Sequence, residues 1–422
     1  MTKDDVETID GFRLRARAWI RANLRPVGPN DMAGLAANVI GDGEALAVVA
    51  REREIQRMLF DAGFAGICFP REYGGQDLTP AHQRAFNEEI AGYECPVEIQ
   101  APTFAPCAAV LLEFGAEEQK QRHLPAILKG EEIWMQLLSE PSGGSDVASA
   151  LTSAVRDGDD WIINGSKIWT SGAWLADWAL CLARTNWDVP KHRGLTVFLL
   201  PLRGEGVQVH RIEMINGNRE FCQEFLTDVR VPDSDRIGAI DGGWTVGTRW
   251  MFHERMLYNS PYVTVPAGWS QTGVDAALLV DVARDAGRLP DPGARDLIGE
   301  GRMLEVVEQA LQQRIARGMT IGRMPDQAAA VGRLFHGVAM ARTMTIAFDL
   351  AGGAGVAWTD DDGAVAGRGV DFLVRQTACI GGGTTEMARN VISERVLGMP
   401  REPSLDRDRA FRDVPRGPSP RS

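Results

Sequence analysis

The chain has 422 residues, 44% of them apolar, and 57 acidic against 45 basic side chains give it a net charge of −12 at pH 7. That length buries a large core and divides into two or three cooperative parts, while the acidic balance argues against nonspecific nucleic-acid binding. Six scattered cysteines (Cys68, Cys95, Cys107, Cys181, Cys222 and Cys379) without CxxC spacing, and six histidines without a ligand pattern, predict neither disulfides nor a zinc site. No apolar run is long enough to span a bilayer, and Met1-Thr2-Lys3-Asp4-Asp5 lacks the apolar stretch of a secretory signal, so a cytoplasmic chain without membrane insertion is expected.

Residues 1–130 carry helical periodicity. Phe12 to Ile20 is amphipathic, Glu44 to Ala62 repeats apolar residues near helix spacing, and Pro70-Arg71-Glu72-Tyr73-Gly74-Gly75 predicts a turn. The texture changes over 131–241. Trp161-Ile162-Ile163 and Ser166-Lys167-Ile168-Trp169 flank Asn164-Gly165, which predicts a two-residue hairpin, and short apolar strands follow at Leu180–Ala183, Leu195–Leu200 and Val207–Val209, ending near Arg230-Val231-Pro232. After Gly242-Gly243-Trp244 helical spacing returns through 242–400. The segment 401–422, rich in Arg, Asp and Pro, reads as an extended or disordered tail. The class is therefore α+β and multidomain: an N-terminal α-helical domain, a middle β domain and a C-terminal α-helical bundle.

Ser139-Glu140-Pro141-Ser142-Gly143-Gly144-Ser145-Asp146 lies where helices hand over to strands. Its glycines permit close backbone approach to a bulky planar or phosphorylated ligand, and Ser145 can donate to a phosphate oxygen. Alone, such a segment is more often a capped turn. Its company changes the reading. Together with Ile163 to Ser171, Phe69 to Gly75, Phe114 to Lys120 and Arg389 to Arg395, it resembles the acyl-CoA dehydrogenase family over nearly the whole chain.

The resemblance implies FAD as cofactor, an acyl-CoA substrate, electron-transfer flavoprotein as acceptor and a homo- or hetero-oligomeric dimer or tetramer. It places the backbone of Gln136, Leu138 and Ser139 at the flavin pyrimidine edge, Ser145 at the pyrophosphate or CoA, Trp169 against the ring and Ser171 near N5, with Thr384 and Glu386 also on the cofactor side. A large aromatic such as Trp169 would otherwise be core. Dehydrogenation needs a desolvated general base for the α proton. At the family's commonest base position this chain has Gly382, but isovaleryl-CoA and long-chain members put the Glu before an Arg early in the third domain, and Glu254-Arg255 fits that arrangement. Without it, Glu254-Arg255 would be an ordinary solvated pair. Arg255, Ser145, Gly382 and Gly383 are then expected on the substrate side. Gly381-Gly382-Gly383 lacks the bulky side chains of the common pattern, which predicts a branched, long or bulky acyl group.

Two departures stand beside these matches. The family's Arg-x-x-Phe-Gly element is absent; Asp281 to Glu300 occupies its place, with Arg288 to Gly293 reading as a turn between helices. Asp349 also replaces a neutral amide that would lie near a pyrophosphate, where an anion is unfavourable. The competing readings are a non-catalytic or half-site subunit of a heteromeric dehydrogenase, and a flavin monooxygenase or oxidase on the same scaffold.

Overall fold

The computed structural model describes residues 7–27, 41–257, 260–267, 276–359, 362–404 and 406–415. These form two compact units: residues 1–213, 218–271 and 404–422 make the first, and 214–217 with 272–403 the second.

In the first unit α1 (Ile9–Asn23) starts where the Thr8 hydroxyl accepts the Gly11 amide, and Phe12, Ala16 and Ile20, four residues apart, bury one stripe. α2 (Asp42–Asp61) and α3 (Pro80–Glu89) follow. The next helix is irregular for a covalent reason. α4 (Val97–Pro102) runs into a π-helical turn, Thr103–Ala108, and then α5 (Ala109–Phe114). Pro102 and Pro106 have no amide hydrogen to close an α-helical bond, so the turn widens there. α6 (Glu117–Leu128) completes the helical layer.

Eight strands form one sheet among the described residues: β1 (Trp134–Leu137), β2 (Ser153–Asp157), β3 (Asp160–Ser171), β4 (Trp178–Arg184), β5 (Leu195–Pro201), β6 (Val207–Arg211), β7 (Phe221–Pro232) and β8 (Arg236–Ile237). Their order is β6-β7-β3-β2-β4-β5-β8, with β1 parallel to β4. The alternation along β4 explains its unbroken apolar sequence. Leu180 and Leu182 join one core with Phe104, Leu124 and Trp250, while Ala179, Cys181 and Ala183 join another with Trp161 and Phe198. Both faces are covered, so no polar alternation is tolerated.

The hairpin expected at Asn164-Gly165 is not there. β3 continues through it, with β2 on one side, β7 on the other and a break in the β7 register at Asn164, and the reversal falls at Gly158, whose φ is +65°. Asn164 instead donates to the Asp228 carboxylate and accepts its amide, at 3.0 and 2.8 Å. Gly165 is required by proximity: a Cβ there would lie 2.5 Å from Thr152 Oγ1. The tail differs too. Phe411 is buried, stacks on Trp187 and lies 3.7 Å beneath the Arg184 guanidinium, so residues 406–415 dock on the first unit, while 416–422 lie outside the described residues.

α7 (Gly243–Arg255) belongs to the first unit. The second contains α8 (Ala276–Asp285), α9 (Pro292–Thr320), α10 (Ala329–Ala351), α11 (Arg368–Val374) and α12 (Thr385–Val391). The turn read at Arg288 to Gly293 ends in Asp291, which accepts the Gly293 amide and caps α9, with Pro292 at the first helical position. No described helix is long and apolar enough to cross a membrane.

Candidate active site

The orientation of α7 is fixed by side chains on successive turns. The fully buried Trp250 donates its indole N–H to Gln136 Oε1 on β1, while Arg249 and His253 both bind Glu113 of α5, at 2.7 and 2.8 Å. Glu254, one helical turn beyond Trp250, shares its face. It thereby lines a cavity of about 250 Å³ whose wall also includes Gln136, Ser171, Pro102, Ala105 and Leu257. The π-helical turn forms part of that wall, and burial pushes the thiol of its Cys107 well up, with the nearby Glu254 carboxylate adding to the effect.

Three sequence-assigned residues, Gln136, Ser171 and Glu254, thus meet in one cavity of one unit. Leu138, Ser139, Ser145, Trp169 and Arg255 belong to the same unit but are not among the described lining residues. Ser145 and Arg255 are exposed. Ser139 accepts the Ile168 amide at 3.0 Å, which ties the glycine-rich segment to β3 one residue before Trp169.

Trp169 is not core. It interrupts the β3–β7 register at a bulge with φ +66°, is 54% exposed, and meets Phe221 edge-on. A non-glycine aromatic held in the left-handed region is costly, and such strain concentrates at working sites.

Behind the bulge lies a buried polar cluster. Lys167 is fully buried, donating to Glu140 at 2.9 Å and to the Leu138 carbonyl at 3.2 Å. Burial pushes the Glu140 carboxyl up, but Lys167 and the Leu151 and Thr152 amides outweigh it and hold the group below its ordinary range. Glu224, opposite Lys167 on β7, is also fully buried and accepts from Thr170 at 2.9 Å; burial pushes its carboxyl up to about 8. The folded protein therefore keeps a proton that the unfolded chain releases near its ordinary value of 4.5. Stability then falls by about 1.4 kcal/mol per pH unit as pH rises between those two values. Glu224→Gln is expected to remove that slope, so its melting-temperature advantage over the natural protein should grow from pH 5 to pH 8. A constant difference over that range would show that Glu224 does not change protonation on folding.

The remaining assigned residues lie in the second unit. Gly382 and Gly383 have φ of +69° and +97°, and Arg333 of α10 donates to the Gly381 carbonyl at 2.6 Å. Thr384 caps α12 by accepting the Met387 amide, and Glu386 is exposed beside Arg389. Asp349 is exposed on α10, and its carbonyl accepts from Arg288. Of the two aromatic residues near Glu254 that could fill an acyl pocket, Trp250 is packed into the core and Tyr258 lies outside the described residues.

Sequence reasoning gave no role to Lys167 or Glu220, and saw Trp250 only as an aromatic that could refill the acyl pocket. Lys167 sits inside a motif where only the strand register reveals its partners. Glu220 reaches the cavity because its carbonyl accepts the Gly172 amide across the β3–β7 ladder, at 3.0 Å.

Comparison with known proteins matches the chain to Acyl-CoA dehydrogenase, N-terminal domain over residues 35–131, to the middle domain over 136–229 and to the C-terminal domain over 242–397. Acyl-CoA dehydrogenase IpdE1 of Mycobacterium tuberculosis is 32% identical over 403 residues, covering 94% of this chain and 99% of its own. Cyclohexane-1-carbonyl-CoA dehydrogenase of Geobacter metallireducens is 26% identical, covering 80% of this chain and 87% of its own. Among solved structures, the Tcur3481-Tcur3483 steroid ACAD superposes with a TM-score of 0.73 at 28% identity, covering 94% of this chain and 99% of that one. The ChsE4-ChsE5 complex from Mycobacterium tuberculosis gives 0.68 at 25% identity, covering 95% and 100%.

Proposed function

Because this chain belongs to the acyl-CoA dehydrogenase family, flavin-dependent oxidoreductases acting on CH–CH bonds, we propose that it converts an acyl-CoA thioester to the 2-enoyl-CoA, with FAD as cofactor and Glu254 as base. The observation that carries this reading is the meeting of Glu254, Gln136 and Ser171 in one cavity. The first unit's residues fit a flavin. Trp169 offers an exposed indole on a strained backbone two residues before the cavity's Ser171, and a Cβ at Gly143 would meet nothing within 4 Å, leaving room for close backbone approach. Trp169, Ser171, Gln136 and the Leu138–Ser139 backbone would hold it, with Ser145 nearer the phosphates. When bound, the flavin supplies the hydride acceptor.

The chain's own part in the reaction is acid–base and positional. Glu254 takes the α proton, and its helix is held by Trp250, Arg249 and His253 so that the carboxylate does not swing away. Pro102, Ala105 and Leu257 present apolar surface that keeps water from the carboxylate.

The acyl group is proposed to be bulky or alicyclic. Small wall residues, among them Ala45, Ala101, Ala105 and Gly172, leave width for it, and the relatives named for steroid and cyclohexane-carbonyl substrates support this. Each additional buried methylene adds roughly 0.8 kcal/mol in an apolar pocket. Purified yellow protein titrated with a panel of CoA thioesters should show higher kcat/KM for cyclohexane-carbonyl-CoA than for butyryl-CoA. A clear preference for butyryl-CoA would defeat the assignment of a bulky substrate and leave dehydrogenation standing.

Asp349 and the absent Arg-x-x-Phe-Gly favour a second reading in which this chain works beside a different subunit and not every chain carries FAD. Two structural relatives described as two-protein assemblies support it. A flavin-to-chain ratio of one in a homogeneous homo-oligomer would exclude it. Electron-transfer flavoprotein is the proposed acceptor.

A further inference from the structure

The tail that docks on the first unit reaches the glycine-rich segment through two cations. Lys191 Nζ donates to Asp146 and to Asp406, at 2.9 Å each, so one ammonium ties the end of segment 139–146 to residues 406–415. Arg184, fully buried at the end of β4, donates to the carbonyls of Ala148 at 2.6 Å, Ala150 at 3.0 Å and Lys191 at 3.2 Å. Phe411 covers that guanidinium, and the tail is fastened there along its backbone: the Phe411 and Arg412 amides donate to the Val189 and Trp187 carbonyls, at 2.9 and 3.0 Å. A cation on a ring away from water is held more firmly than one at an exposed site.

Residues 141–146 are exposed and include Gly143 and Gly144. Their start is pinned by Glu140, which accepts the Leu151 and Thr152 amides and pairs with Lys167. Their end is held by Lys191 and Arg184, and so by the tail. Glycines in an exposed segment leave much conformational freedom, and ordering it beforehand lowers the cost of binding a ligand there. We infer that residues 406–415 are a strap, with Phe411, Arg184 and Lys191 as positioning residues, which holds 146–150 so that the adjoining Ser145 is presented to the diphosphate of a bound FAD or CoA thioester. This rests on the proposed function, which puts Ser145 nearer the phosphates.

The test uses the full-length protein carrying Phe411→Ala, Phe411→Leu or Asp406→Asn, none of which alters the cavity or Glu254. In the ligand-free protein, hydrogen exchange should quicken at the Ser149 and Ala150 amides, which donate to Asp146 and Val147, while β3 stays protected. FAD titration and steady-state kinetics then read the ligand side. Phe411→Ala should raise the FAD Kd or the KM for acyl-CoA about tenfold, the scale of one lost hydrogen bond to a charged group, with kcat little changed. A rise confined to FAD assigns the flavin diphosphate, and one confined to KM assigns the thioester. Phe411→Leu, which keeps the buried apolar contact, should lie between Phe411→Ala and the natural protein. Asp406→Asn should show the same signature more weakly and keeps the question answerable if Phe411→Ala does not fold. Unchanged exchange at 149–150, faster exchange with both affinities unchanged, or a loss that falls on kcat alone would overturn the inference. Binding of neither FAD nor free CoA by the natural protein would instead overturn the proposed function, a result seen without any variant.

Discussion

Glu254→Gln is expected to retain flavin and acyl-CoA binding and to slow substrate-dependent flavin bleaching by at least about two orders of magnitude, the usual scale for removing a general base. The substitution is nearly isosteric and leaves the Trp250, Arg249 and His253 contacts of α7 in place, so the cavity should survive it. Stopped-flow reduction under anaerobic conditions measures the step. Bleaching at the natural rate would assign the base elsewhere. Moving the carboxylate to Gly382 is a poorer test, because Gly382 has φ +69° and a side chain in the left-handed region costs about 1–2 kcal/mol by itself.

What could be read from the sequence was what is encoded locally. The spacing of Phe12, Ala16 and Ile20 announces α1, Gly242-Gly243-Trp244 marks the start of α7, and the segment Ser139 to Asp146 carries the family resemblance. The misread hairpin shows where local signals lose. Asn164-Gly165 is a strong turn pair, yet here it lies inside a strand paired on both sides, and two flanking ladders outweigh one turn preference. Trp169 was open to two readings because aromatic residues in strands are usually core, and only the bulge shows that it faces outward.

The cavity was less legible than its individual residues. Gln136 and Trp250 lie 114 residues apart, and nothing in either segment announces that an indole N–H will hold that amide. Glu220 follows no motif at all. Its place depends on the β3–β7 register after the bulge, which sets it opposite Gly172, whose amide its carbonyl accepts. The π-helical turn could have been suspected from Pro102 and Pro106 spaced four apart within an apolar run, a pattern that rules out a regular helix.

Lys167→Met should be the most damaging single change away from the cavity, lowering stability by about 3–5 kcal/mol, the cost of leaving one member of a buried ion pair uncompensated. The lysine has no solvent exposure and Glu140 very little, so water cannot replace the lost ammonium. The loss would also remove a donor from the Leu138 carbonyl, just past the end of β1 in the segment the family resemblance sets against the flavin. Urea unfolding followed by tryptophan fluorescence should therefore show a lower midpoint together with weaker FAD retention. Charge and packing are separated by adding Glu140→Gln. The neutral amide carries no unpaired charge and its one oxygen still accepts one of the Leu151 and Thr152 amides, while its NH2 faces the other, so the double variant should recover part of the stability lost by Lys167→Met. If it is no more stable than the single variant, the ammonium's role is to hold the Leu138 segment by its hydrogen bond and packing, and the buried charge of Glu140 is satisfied by backbone amides alone.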